Sequence, residues 1–182
     1  MTSIVPSPRN QPQYQIRFDW GLRGAAAIAL GADIVVWVDA LTTALAPDPL
    51  SIEGDVAVVA GSVGSSTALA EWVLERQVAI GDRATVAVVA AGSDDGGFAV
   101  EDLLAAGAVI DALAEVGIDY ISPEAAAAVG AFAGLRNATS HVLSASVTGQ
   151  QIIAAEGRGF VDRAREANTQ PVFTVLREFA AR

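Results

Sequence analysis

The run Ala84–Ala91, ATVAVVAA, is the part of the chain that permits the fewest folds. It is valine-rich, too short for an ordinary helix, and closed by Gly92. That pattern belongs to a strand buried on both faces, as strands of parallel sheets are. Gly92–Gly97 follows as a turn that carries Asp94 and Asp95 among glycines. A helix is predicted from about Ala99 to about Val116. At ~100° per residue, Ala106, Val109, Ile110, Leu113 and Val116 share one face, with Asp111 and Glu115 on another. Glu101 is predicted to project with the solvated carboxylates. Asp102 falls on the apolar face of the first turn, where unpaired N–H groups and partial positive charge favour an acid. It also sits just above the carboxyl end of a parallel strand, where open α/β sheets hold their ligands.

Ile34–Asp39 (IVVWVD) and Asp55–Ala60 (DVAVVA) repeat the buried-strand pattern, and Tyr14–Trp20 and Pro171–Leu176 are further strands. Between them lie helices over Gly21–Leu30 and Thr67–Gln77. A third helix, Pro123–Leu135, is almost wholly Ala, Val and Phe and is predicted to be well buried. Ser122 and Pro123 mark its start. Asn137–Ser146 is ambiguous. A helix capped by Ser146 or Thr148 runs through Glu156, and another covers Phe160–Asn168. Thr42–Ala46 begins like a helix but meets Pro47 and Pro49. Alternating strands and helices predict an α/β fold with three layers, α/β/α, and a mostly parallel sheet. One domain over residues 13–182 accounts for this pattern, and Met1–Pro12 is expected to be a disordered tail.

The tail has no apolar core of a secretory signal, the chain has no cysteine, and a cytoplasmic location is the expectation. No apolar run has enough large side chains for a membrane span. The formal net charge is −10 and every basic residue is arginine, scattered without a stripe. Such a surface opposes phosphate backbones, which argues against nucleic acid as partner. A small anionic ligand needs a local arginine or a metal ion to offset that field.

Three turns follow apolar strands, at 39–43, 61–67 and 92–97, and a parallel sheet lines them up along one edge. Asp39, Asp102 and Asp94 or Asp95 would supply hard oxygen ligands suited to Mg2+. Singly, each of these aspartates is equally an ordinary strand end or a solvated turn residue. The loop Gly61-Ser62-Val63-Gly64-Ser65-Ser66 lies between strand and helix, so its N–H groups are candidates to cradle a phosphate. It has neither the lysine of a P-loop nor dinucleotide-fingerprint spacing, and a tight turn with an N-cap explains it as well. His141 has no nucleophile elbow to serve. Trp20, Trp37 and Trp72 read as core or subunit-contact residues.

AVEDLLAAGAVIDAL (99–113), SPEAAAAVGAF (122–132) and the tail 144–176 together resemble the 2-phosphosulfolactate phosphatase family. RFDWG (17–21) and VVWVDALTT (35–43) look like that family's opening strand and its strand-aspartate-threonine motif. The resemblance implies an α/β/α fold and a Mg2+-dependent phosphatase acting on a small anionic phosphoester or sulfonate. It carries Asp39, Glu101 and Asp102 over as catalytic residues, with Asp39 and Asp102 as metal ligands. Backbone groups at Gly61, Ser62, Gly64, Ser65 and Ser66, and at the helix start Thr148–Gly149, would hold the anion. The chain departs from the family pattern by lacking an arginine after Asp39 and by having Gln150 where Gly-Arg is usual. It also reaches the next strand sooner. The alternative is therefore a non-catalytic homologue that keeps the fold for ligand binding or oligomeric assembly. In either reading a homo-oligomer is expected, with the apolar helices and Trp20, Trp37 and Phe132 as contact surface.

Overall fold

Four runs rich in valine, isoleucine and alanine form the parallel part of a five-stranded sheet: β1 (Ile16–Trp20), β2 (Ile34–Val38), β3 (Ala57–Gly61) and β4 (Val86–Ala90). The computed structural model describes residues 7–93 and 97–178, so Asp94 and Asp95 lie outside the described residues. The order across the sheet is β1-β4-β2-β3-β5, and β5 (Thr174–Arg177) runs antiparallel to β3. Val38 pairs in register with both Gly61 and Ala90, and Trp20 with Ala90. Four strands therefore end level, and the turns that follow them share one edge.

Side chains alternate across these strands with period two. Val36, Val59 and Val88 pack beneath α2 (Ser66–Ile80), α3 (Val100–Glu115) and α4 (Pro123–Leu135). Val35, Val58 and Val89 face the other way, onto α1 (Gly21–Ile28) and onto Ile52 and Val56 of the connection before β3. Helices on both faces make the three layers. A third, smaller cluster joins Ala40 and Leu41 to Leu143, Ile152 and Val161. It seats α5 (Thr139–Ala145), α6 (Val147–Glu156) and α7 (Arg158–Asn168) over the carboxyl edge of the sheet. This helical cap is what encloses the site. Among the described residues, no helix is long and apolar enough to cross a membrane.

The structure differs from the sequence reading in four places. Residues 7–12 of the expected tail are built into the fold. The Gln11 amide accepts from Phe18 N–H at 3.0 Å and donates to Phe18 C=O at 2.8 Å, acting as a one-residue partner for the outer edge of β1. Helix α4 is not well buried. Only Ala125, Ala128 and Phe132 are covered, because one face of the helix packs inward and Ala126, Ala127 and Ala133 lie on the exposed face. Thr42–Ala46 forms turns, and the regular piece of that connection is a 3-10 turn at Pro49–Ser51, where proline fits the first position. Ser146 caps α6, which leaves Thr148 inside the helix.

Alanine and glycine let α3 and α4 cross closely. A Cβ on Gly107 would stand 2.2 Å from the Ala128 carbonyl oxygen, far inside contact. Gly107→Ala should therefore force the helices apart and lower stability by about 1–3 kcal/mol. Gly130→Ala, on the outer face of α4 with nothing within 4 Å of the added methyl, should raise it by about 0.4–1 kcal/mol. Denaturant melts of the two variants beside the parent check both signs.

Candidate active site

The site starts from a carboxylate held by two strands. Asp102 lies in the first turn of α3, and that helix start has no side-chain cap of its own. Its Oδ1 accepts from Ala40 N–H at 2.8 Å, just beyond β2, and its Oδ2 accepts from Gly92 N–H at 2.9 Å, just beyond β4. Gly92 has a φ of +80°, a backbone shape that favours glycine and lets its N–H face the acid. Asp102 is 2% exposed. Burial pushes its carboxyl well above the ordinary carboxylate range, and the charges of Asp39 and Glu101 push the same way. The two backbone N–H groups oppose them by stabilising the ionised form.

Asp39 follows directly on β2. It is half-buried, and its Oδ1 accepts from Leu41 N–H at 3.2 Å, which folds the turn back on itself. Glu101 departs from the solvated position expected for it. It is 4% exposed, and its Oε2 is buried with no hydrogen-bond partner. The helical stripe on α3 was read against the sheet alone, whereas α5 and α7 cover the side on which Glu101 lies. Asp39, Glu101, Asp102 and Thr148 all line one small cavity of about 20 Å3, together with Thr43 and Gly92. The three acids and the start of α6 thus meet at one rim.

The loop after β3 is closed, not cradle-shaped. The N–H groups of Ser62, Gly64, Ser65 and Ser66 go to Ser65 Oγ (2.9 Å), Asn168 O (2.8 Å), Ser62 Oγ (3.2 Å) and Val63 O (3.5 Å). Gly61 serves packing, since a Cβ there would meet Val36 at 2.9 Å. Gly149 likewise packs on the Leu143 carbonyl and gives its N–H to Ser146 Oγ at 3.0 Å. His141 is exposed on α5. Trp37 is in the core, while Trp20 and Trp72 are half-buried.

A second, larger cavity of about 270 Å3 shares Glu101 with the first, and its lining includes Arg165 and Asn168. Sequence reasoning missed both. Asn168 donates to Ala40 C=O at 2.8 Å while its own carbonyl accepts from Gly64 N–H, so it ties the turns after β2 and β3 to the end of α7. The i, i+3 spacing of Arg165 and Asn168 was visible on an amphipathic helix. What that helix covers was not.

The family model for 2-phosphosulpholactate phosphatase matches residues 26–177. The chain belongs to the 2-phosphosulpholactate phosphatase family. No functionally curated protein matches it. The matched residues include all three acids and the whole helical cap.

Asp102 accepts from both strand ends through its two oxygens, and an amide offers only one. Asp102→Asn should leave Ala40 N–H or Gly92 N–H without its partner and lower stability by about 1–3 kcal/mol. The raised folded value means that the folded chain binds this proton more tightly than the unfolded one. That contribution is in place below the ordinary aspartate value and is lost as pH rises through the folded value. Urea melts in chelator across acid to neutral pH should show that decline in the parent and a smaller one in Asp102→Asn.

Proposed function

We propose that the acidic rim hydrolyses a small anionic phosphoester with the help of Mg2+. Family membership supports phosphatase chemistry. The observation that carries the site assignment is Glu101 Oε2, a buried carboxylate oxygen without a partner, lining the same cavity as Asp39. A buried charge is expensive unless something pairs with it, and a bound cation pairs with it.

The residues fit such an ion. Mg2+ takes oxygen ligands, commonly one or two carboxylates with water and substrate phosphate completing the shell. Among the described residues, no group of three or more acids or histidines is arranged to hold a metal ion alone. Asp39 and Glu101 would hold it, and Asp102 is a positioning residue that fixes the start of α3 and hence Glu101. The ion supplies charge neutralisation at the transferring phosphoryl group. In the reaction, a water oxygen bonds to phosphorus and the P–O bond to the organic group breaks. One water proton passes by way of Asp39, the most exposed of the three acids, to the leaving oxygen, which departs as the alcohol, and the other stays on the phosphate. Thr148, at the start of α6, faces the same cavity and is the candidate anion contact. The expected role of Gly61–Ser66 as a phosphate cradle has no support from its hydrogen bonding.

The competing reading, a fold kept for ligand binding or homo-oligomeric assembly, draws on that same closed loop and on the outward-facing alanines of α4. A cytoplasmic location is the expectation under either reading. Sedimentation reports the assembly state.

Glu101→Gln separates the readings. It should weaken Mg2+ binding by about tenfold or more in calorimetry and reduce hydrolysis across a phosphomonoester panel on the order of a hundredfold. Its melting temperature in chelator should equal or exceed the parent's, because an uncompensated buried charge is gone. Unchanged hydrolysis in this variant would overturn the site assignment, and a parent inert to every ester in the panel would sink the phosphatase reading.

A further inference from the structure

Asp39 keeps its place in the rim through a short chain of hydrogen bonds. Its Oδ1 accepts from Leu41 N–H at 3.2 Å, the turn that an aspartate makes with its own backbone two residues on. Alone, that contact is long and only half-buried, and a carboxylate has other rotamers open to it. The peptide that carries the donor supplies the missing constraint. The unit joining Ala40 to Leu41 is planar, with its C=O and N–H pointing in opposite directions, so holding one aims the other. Asn168 Nδ2 donates to the Ala40 carbonyl at 2.8 Å, a bond that spans 128 residues of chain. Ala40 N–H, on the preceding peptide, is held by Asp102. Both peptide planes that meet at Ala40 are therefore anchored from outside the turn, one by the start of α3 and the other by the end of α7.

Asn168 is itself firmly placed. Its Nδ2 faces two carbonyl oxygens, those of Ala40 and of Ala164 (2.9 Å), and since these only accept, the amide has one orientation. Its backbone carbonyl accepts from Gly64 N–H at 2.8 Å, and a Cβ on Gly64 would stand 2.6 Å from that oxygen. Val161 seats the same helix against Ala40 and Leu41. Val63, Leu104 and Leu143 give the larger cavity beside Asn168 an aliphatic lining. Hydrogen bonds with little water around them are electrostatically stronger, and each member of a chain polarises the next.

We propose that Asn168 is a positioning residue for Asp39: its amide, acting through the Ala40–Leu41 peptide, aims the N–H that orients the Asp39 carboxylate. The inference rests on the reading that Asp39 serves hydrolysis at the acidic rim. Asn168→Ala removes the amide and keeps the backbone tie to Gly64. Asn168→Ser takes its place should that variant fold poorly, because a serine hydroxyl still reaches the Ala164 carbonyl one helical turn back but is too short for Ala40. Val161→Ala is the control that loosens the cap and removes no hydrogen bond of the chain. In metal-free full-length protein, amide exchange at Leu41 should quicken about tenfold in the Asn168 variants, while Ala40 and Gly64 keep the parent's protection. At saturating Mg2+, kcat for the best ester of the panel should fall on the order of tenfold, with KM changed less than about twofold. Val161→Ala should lower the melting temperature further yet keep the parent's kcat. Quicker Leu41 exchange in a protein whose parent hydrolyses no ester would leave the tie from Asn168 to Asp39 standing while the phosphatase reading falls. An unchanged kcat in an active protein, or exchange that quickens equally at Leu41, Ala40 and Gly64, would overturn the positioning role and leave the phosphatase reading intact. Equal loss of kcat in Val161→Ala would reduce Asn168 to a clip for the cap and overturn it too.

Discussion

One carboxylate holds together the three segments on which the site depends. Asp102 accepts from the N–H groups of Ala40 and Gly92, each two residues past the end of β2 or β4, while standing in the opening turn of α3. These bonds are short, buried and charge-assisted when the acid is ionised, which makes them stronger than neutral ones. They tie the start of α3, which has no side-chain cap, to the ends of two strands. They also set where Asp39 and Glu101 stand, since one follows β2 and the other precedes Asp102 by one residue. The same burial that strengthens the bonds raises the carboxyl's proton affinity. Asp39 and Glu101 raise it further, so the three acids are electrically coupled as well as adjacent.

Small residues make that closeness possible. Gly107 allows α3 to lie against the Ala128 backbone, Gly64 allows the turn after β3 to touch Asn168 and Thr169, and Gly149 seats α6 on α5. Each replaces a side chain with a direct approach of backbones. The consequence is a cap drawn down tightly over the edge of the sheet. A looser cap would let water reach Glu101 Oε2 and dissolve the constraint that marks it.

The strands were legible because β2, β3 and β4 are continuous apolar runs of five residues, which only a strand covered on both faces explains. Their level ends followed from parallel pairing. Asp102 was legible as well, because an acid on the apolar stripe of a helix start needs a partner. Glu101 was not. Its burial depends on α5 and α7, which come from residues 139–168 and pack there through Leu143 and Val161. Nothing local to EDLL reports that cover. Gln11 escaped notice for a related reason: a side-chain amide that pairs with Phe18 looks in sequence like any polar residue of a terminal segment. Arg165 and Asn168 belong to the same class, residues whose meaning comes from the surface their helix lands on.

The two acids next to each other in the chain therefore have opposite energetic characters. Asp102 is buried with both oxygens satisfied, and its removal breaks the frame. Glu101 is buried with one oxygen unsatisfied, and the folded chain carries that burden. A helix could have placed any residue at that position, and leucine or glutamine would rest there more comfortably. Uncompensated burial of a carboxylate between a polar cavity and an aliphatic one is the kind of local conflict that folding alone does not produce. It fits a position whose partner arrives from outside, such as the cation proposed for this rim. The stability that Glu101 forgoes is what pairing with such a partner restores.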